Sequence, residues 1–260
     1  NAKNALAVGA TEEPPDQNLF YSGGQGPTND GRRKPEIFAP GESIASADTD
    51  ACSLISSSGT SMACPAVAGA ALLARQYFTN GFYPTGVEVT ENAFEPSGAL
   101  LKAVLLNATN DLTGITGYPS DQEGWGRLNL DVGLYLPGDA RASYLRQRFH
   151  TEGLLTNESQ NFIFSVESTA EPLHVTLTWM DPEAAHGANP ALVNDLDLLV
   201  QAPGGAIYRG NVFSGGFSAT GGSADTINNV EQVRVAAPEV GTWTVVVEGG
   251  SVPLGPQGFA

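Results

Sequence analysis

The stretch Ser58-Gly59-Thr60-Ser61-Met62-Ala63-Cys64-Pro65, running into Ala66-Val67-Ala68-Gly69-Ala70-Ala71-Leu72-Leu73, constrains this chain more than any other. A Gly-Thr turn leads into a serine and then a long run of small apolar residues. Thr60 is a suitable N-cap, which makes Ser61 the first residue of a helix. Pro65 falls within the tolerant first turn or just beyond it. Ala, Gly and Val stand on nearly every face of the run, so the pattern predicts a helix buried all round. A serine there has an unpaired N–H and the positive end of the helix macrodipole beside it. That setting suits a nucleophile whose attack creates an oxyanion. The same residues also read as a plain Ser/Thr cap on a core helix.

The motif Gly59-Thr60-Ser61-Met62-Ala63-Cys64-Pro65 resembles the nucleophile motif of the subtilisin-like serine proteases, the subtilases, and the run after it resembles their central helix. The resemblance implies that Ser61 is the nucleophile and that its backbone N–H is one oxyanion donor. Cys64 stands where the family usually has Thr or Ser, a departure that bears on local packing and not on Ser61. Upstream, Ala5-Leu6-Ala7-Val8-Gly9-Ala10 is a short apolar strand. It resembles the family's strand after the substrate cleft. Arg33-Lys34-Pro35-Glu36-Ile37-Phe38-Ala39-Pro40-Gly41 resembles a later strand that ends in Ala-Pro-Gly. Downstream, Ser97 is placed to cap a second helix through Leu100, Leu101, Val104, Leu105 and Leu106. Gly124-Trp125-Gly126-Arg127-Leu128 resembles the segment that closes the family's catalytic domain.

Composition shifts at Leu136-Pro137-Gly138-Asp139. Beyond it come strand-like alternations: Asn161–Val166, His174–Trp179, Leu196–Val200, Glu231–Val235 and Thr242–Glu248. Short strands at this spacing without helices predict an antiparallel sandwich. Trp179 and Trp243 alternate with Thr and read as half-buried. The pieces Thr178-Trp179-Met180-Asp181-Pro182, Leu192-Val193-Asn194-Asp195-Leu196-Asp197-Leu198 and Asn228-Asn229-Val230-Glu231 resemble the C-terminal β-sandwich, jelly-roll-like, of certain secreted subtilases. The expected architecture is α/β, a partial subtilisin-like parallel-sheet domain over 1–138, followed by an all-β sandwich over 139–260.

The formal charge of −16 argues against nucleic acid as a partner. No apolar run reaches the roughly 18 residues of a transmembrane helix, so no membrane partner is expected. Cys52 and Cys64 either pair with each other, or Cys52 pairs outside the chain and Cys64 is a buried free thiol; zinc is not expected.

Asp195 and Asp197, two apart on a strand, share a face while Leu196 and Leu198 face the core. Two like charges side by side need a cation or a nest of donors. Asn194, Asn228, Asn229 and Glu231 offer further oxygens of the kind calcium takes. The alternative is a solvated acidic edge that blunts aggregation. The resemblance implies calcium in this domain, with Asp181, Asn194, Asp195, Asp197, Asn229 and Glu231 as candidate ligands.

A hydroxyl needs a base, usually a histidine held by a carboxylate. Subtilases order their triad Asp, His, Ser along the chain. His150, His174 and His186 all follow Ser61, and none stands where the family has its base. The resemblance therefore implies that the triad's Asp and His and the oxyanion Asn belong to upstream sequence, in the same polypeptide or in a separate chain. The expectation is a secreted endopeptidase acting on protein or peptide, these 260 residues alone being inactive. A binding module for protein or carbohydrate is the alternative.

Overall fold

The structure is a computed structural model that describes residues 2–50 and 52–260. Its first half holds a five-stranded sheet built from β1 (Val8–Thr11), β2 (Phe20–Ser22), β3 (Ile37–Pro40), β6 (Thr109–Asn110) and β7 (Arg127–Leu128) in the order β2-β1-β3-β7-β6. A separate hairpin, β4 (Ile44–Ala47) with β5 (Leu54–Ser57), precedes α1 (Thr60–Thr79), and α2 (Gly98–Asn107) follows it. The centre of the sheet is parallel: β1 runs beside β3 from Val8↔Ile37 to Thr11↔Pro40, and β3 beside β7. Gly9 is required there because the Phe38 ring fills the space a Cβ would occupy. Small residues on β1 and β3 let α1 lie close, with Ala63 and Val67 packed on Ala10, Ile37 and Ala39.

Two features of α1 differ from the sequence expectation. Gly59, not Thr60, is the N-cap, so the helix begins at Thr60 and Ser61 is its second residue. The helix is also covered on one face only. Ala63, Val67, Ala74, Tyr77 and Phe78 are buried against β1, β3 and α2, whereas Leu72 is 68% and Leu73 58% exposed. An apolar run shows that every face tolerates burial, but not that every face has a partner. The neighbouring hairpin is exposed as well, with Leu54 at 77%. As expected, Ser97 caps α2, its hydroxyl accepting the Leu100 N–H at 3.1 Å.

The second half is antiparallel. One sheet runs β12 (Phe217–Thr220), β11 (Ile207–Ser214), β10 (Asp195–Gln201), β14 (Gly241–Ser251), β8 (Ser159–Val166); the other is the pair β13 (Val230–Val235) and β9 (Leu173–Thr178). Alternating residues of both sheets enclose Leu196, Leu198, Val200, Val233, Val247 and Phe259. Trp179 and Trp243 belong to this core and are fully buried rather than half-buried. Their indole N–H groups are satisfied internally, by the Asn194 and Glu239 carbonyls at 2.8 and 2.9 Å, so neither ring needs water.

Polar contacts join the halves. Thr178 and Gln232 donate to the Ala99 and Leu106 carbonyls of α2 at 2.7 and 2.9 Å, which seats α2 on β9 and β13. Lys3 pairs with Asp181, Asn4 exchanges hydrogen bonds with Asp181, and the Arg33 N–H donates to Asn228. Beneath them, Glu36 is a buried carboxylate between Lys34 at 2.5 Å and Lys102 at 2.8 Å, and it also accepts the Ala7 N–H at 3.1 Å. Burial lowers the Lys34 pKa to about 8, against the opposing pull of Glu36. Among the described residues no helix is long and apolar enough to cross a membrane.

Removing Glu36 leaves two buried ammonium groups without a counter-charge. Glu36→Gln is expected to destabilise the fold by about 3–5 kcal/mol in a urea titration. A loss under about 1 kcal/mol, the size of an exposed pair, would contradict the buried-triad account.

Candidate active site and carboxylate cluster

Ser61 stands at the first turn of α1, beside the C-terminal ends of parallel strands β1 and β3. That is where open α/β sheets place ligands. The turn is built from glycines. Gly59, at φ 143°, donates to the Gly41 carbonyl at 2.7 Å, and a Cβ on Gly41 would sit 2.7 Å from the Gly59 oxygen. Met62 N–H returns to the Gly59 carbonyl at 3.0 Å, which closes the first turn. The Ser61 N–H therefore belongs to the amides that a helix leaves without an intrahelical acceptor, and the residue is exposed. The site can present a hydroxyl and a donor to the same carbonyl.

No described side chain hydrogen-bonds the Ser61 hydroxyl. His150 is engaged elsewhere, its Nδ1 lying 3.1 Å from the Pro256 carbonyl and 3.2 Å from the Gly258 nitrogen. His174 lies on β9 opposite Arg234 of β13, and its pKa is lowered to about 3 by burial and then by Arg234 and Arg141. His186 is exposed in a loop. Cys52 and Cys64 are both free and exposed, so the internal pair is not formed and Cys64 is not the buried thiol expected of it, lying on the uncovered side of α1.

The structure divides the candidate cation ligands into two groups. Asp181, Asn194 and Asn229 are committed to holding loops together. Asp181 accepts the Val193 and Asn194 N–H groups and the Lys3 ammonium. Asn194 bonds Leu254 in both directions and also Gln257, while Asn229 donates to Trp179 and Asn4. Asp195, Asp197 and Glu231 are different. Leu196 and Leu198 face the core as expected, and β11 joins β10 only from Leu199 onward. Glu231 fills that open edge, accepting the Leu198 N–H at 2.7 Å, in a space that exists because Gly210 has no Cβ. One oxygen each of Asp195, Asp197 and Glu231 is buried without a hydrogen-bond partner.

Burial pushes Asp195 up to about 7, with Asp197 and Asp225 adding to it, and it raises Asp197 and Glu231 too. Asp225 was not anticipated, since only the fold brings it to β10. Its own oxygens are held by Asn211, Ile227 and Asn228. Among the described residues no three acidic, His or Cys side chains close into a preformed metal cage. The cluster is thus a set of unbalanced acceptors that protonation or a cation would relieve.

A second carboxyl pair lies at the end of the first sheet. Glu123, buried, accepts the Leu112 N–H at 3.0 Å, and its carboxyl also meets that of Asp111. Burial first, then Asp111, raises the Glu123 pKa from 4.5 to about 7. A raised carboxyl favours the fold below its unfolded pKa, and that stabilisation is lost as pH rises through the folded value. Stability should therefore fall between those two pH values. Glu123→Gln should flatten this part of a melting-temperature profile against pH, and an unchanged slope would show that Glu123 is not the group responsible.

Ser61 thus sits in the first turn of a helix, set against the ends of parallel strands. Residues 1–126 match the family described as "Subtilase family", to which this part of the chain is similar. Among curated proteins, the chain is similar to two serine protease/ABC transporter B family proteins of Dictyostelium discoideum. It is 29% identical to tagD over 99% of this chain and 32% identical to tagB over 94%. It spans only 18% and 16% of those two proteins. A solved serine protease of Aeromonas sobria aligns over 95% of this chain and 51% of its own, with 14% identity and a TM-score of 0.31.

Proposed function

We propose that this chain is the nucleophile-bearing part of a secreted subtilisin-like serine endopeptidase, with residues 139–260 forming a jelly-roll-like sandwich attached to the partial catalytic domain of 1–138. The observation that carries the reading is Ser61 in its glycine-built turn, exposed beside an apolar helix face that nothing described covers. In this reading Ser61 attacks the carbonyl of a protein or peptide substrate, and its N–H meets the developing oxyanion. The base, its orienting Asp and the oxyanion Asn come from upstream sequence, within the same polypeptide or as a separate chain. That upstream part packs on the Leu72–Leu73 face and on the β4–β5 hairpin. The relatives' names join a protease to a transporter; only the protease part is proposed here.

A fluorophosphonate probe reports an activated serine. It should fail to label Ser61 in the isolated chain, because losing the base costs on the order of 10⁶ in turnover. With the upstream part restored, Ser61 should label and peptide cleavage should appear, and Ser61→Ala should abolish both. Robust cleavage by the isolated chain would overturn this division of the triad.

Calcium is proposed as a structural ion at the β10 edge. The fit rests on the unpartnered oxygens of Asp195, Asp197 and Glu231, which are the hard acceptors that ion takes. Bound there, it would balance their charge and tie β10 to β13. A chelator should lower the melting temperature by several degrees at low salt, and Asp197→Ala should remove the chelator's effect. A melting curve indifferent to both calcium and chelator would leave the cluster a protonated edge.

A further inference from the structure

We propose that the cleft between α2 with its following loops and the β9–β13 pair is a binding site for an apolar carboxylate, with Arg234 as its anion-binding group. Two adjoining cavities of about 460 and 270 Å³ share Thr109, Asn110, Pro172 and His174 along this seam. The larger falls in the size range of sites for small organic ligands. The larger cavity has Ile115 and Tyr118 from the first half and Phe217 from the second, with Arg234 among its lining residues.

Arg234 is the unusual member. Its residue is only 2% exposed, yet among the described residues it makes no ion pair. Lys3, Lys34 and Lys102, also well buried, each meet a carboxylate. Arg234 instead donates from Nε to Gln232 at 2.9 Å and from Nη2 to Thr109 at 3.2 Å, and it lies 4.6 Å from the Tyr118 ring centroid. Among the described residues no acidic side chain comes within ion-pair distance of it. His174, its cross-strand neighbour, is held neutral. Asp111 lines the cavity but meets Glu123 carboxyl to carboxyl. Arg33, whose guanidinium also approaches the Trp125 ring, adds a like charge.

A buried cation without a counter-ion is costly, and a guanidinium's planar fork matches a carboxylate. The aromatic and aliphatic lining favours an acid with an apolar body over a bare inorganic anion. Such a group occurs on small free acids and at the C-terminus of a peptide. The second source rests on the proteolytic reading, since peptide hydrolysis generates new C-terminal carboxylates; the first does not.

Calorimetric titration of the chain with phenylacetate and with N-acetyl-leucyl-phenylalanine, each against its amide, tests the site. One or both acids should bind, and the matching amide should bind at least about tenfold more weakly, the size of a charge-assisted hydrogen bond. Phenylacetate alone binding assigns the site to small acids, and the dipeptide alone assigns it to peptide ends. Arg234→Gln should reduce acid binding about tenfold or more. Because Arg234 is in the core, Ile115→Asp supplies a second variant, placing a negative charge at a loop position of the lining with the same expected loss. Ser61→Ala should bind as the parent does, so a failure of the catalytic reading leaves this result separate. Equal binding of acid and amide, no binding of either acid, or acid binding unaffected by Ile115→Asp would overturn the proposal.

Discussion

The structure depends on one buried carboxylate. Glu36, just before β3, draws in Lys34 from the same approach segment and Lys102 from α2, and holds the Ala7 N–H just before β1. Three segments far apart in sequence are thereby fixed to one point. The arrangement is specific rather than strongly stabilising, because a buried ion network gains little net free energy over apolar packing but is very sensitive to losing a member. What it fixes is register. With β1, β3 and α2 set, α1 has one place to lie, and Gly59 and Gly41 then bring Ser61 to the strand ends.

The same N-terminal segment reaches the sandwich. Lys3 and Asn4 hold Asp181, Arg33 holds Asn228, and Asp30 accepts the Ala191 N–H. The halves are therefore joined largely by hydrogen bonds and ion pairs around a modest apolar contact, and between them runs the seam in which Arg234 lies. Polar joints of this kind demand correct geometry from both sides. They fix the orientation of the second half to the turn that carries Ser61.

Much of this architecture is legible in the residues. Alternation in Leu196–Val200 and Thr242–Glu248 reports strands half-facing a core, and Ser97 with apolar spacing after it reports a capped helix. Legibility ends where a property belongs to a partner rather than to a residue. The apolar run after Ser61 is compatible with burial on all sides, but exposure of Leu72 depends on what else is present. Asp181 and Asn194 look like cation ligands in a local window, yet their acceptors and donors are used by Lys3, Leu254 and Gln257, which only the fold brings near. Nothing in the residues beside Arg234 and Glu36 marks either as buried, for the same reason. Indole burial was underestimated because Thr neighbours suggest a half-wet strand, whereas main-chain carbonyls satisfy both rings internally.

The bare face of α1 also sets how this chain behaves as a particle in solution. At neutral pH its formal charge of −16 opposes association through the exposed Leu72 and Leu73. That protection is electrostatic, so it shrinks as salt reduces the screening length to about 10 Å at 0.1 M, and it vanishes near the isoelectric point of about 4.3. Acid and salt should therefore act together on colloidal stability, with clumping through the helix face setting in before the fold itself gives way.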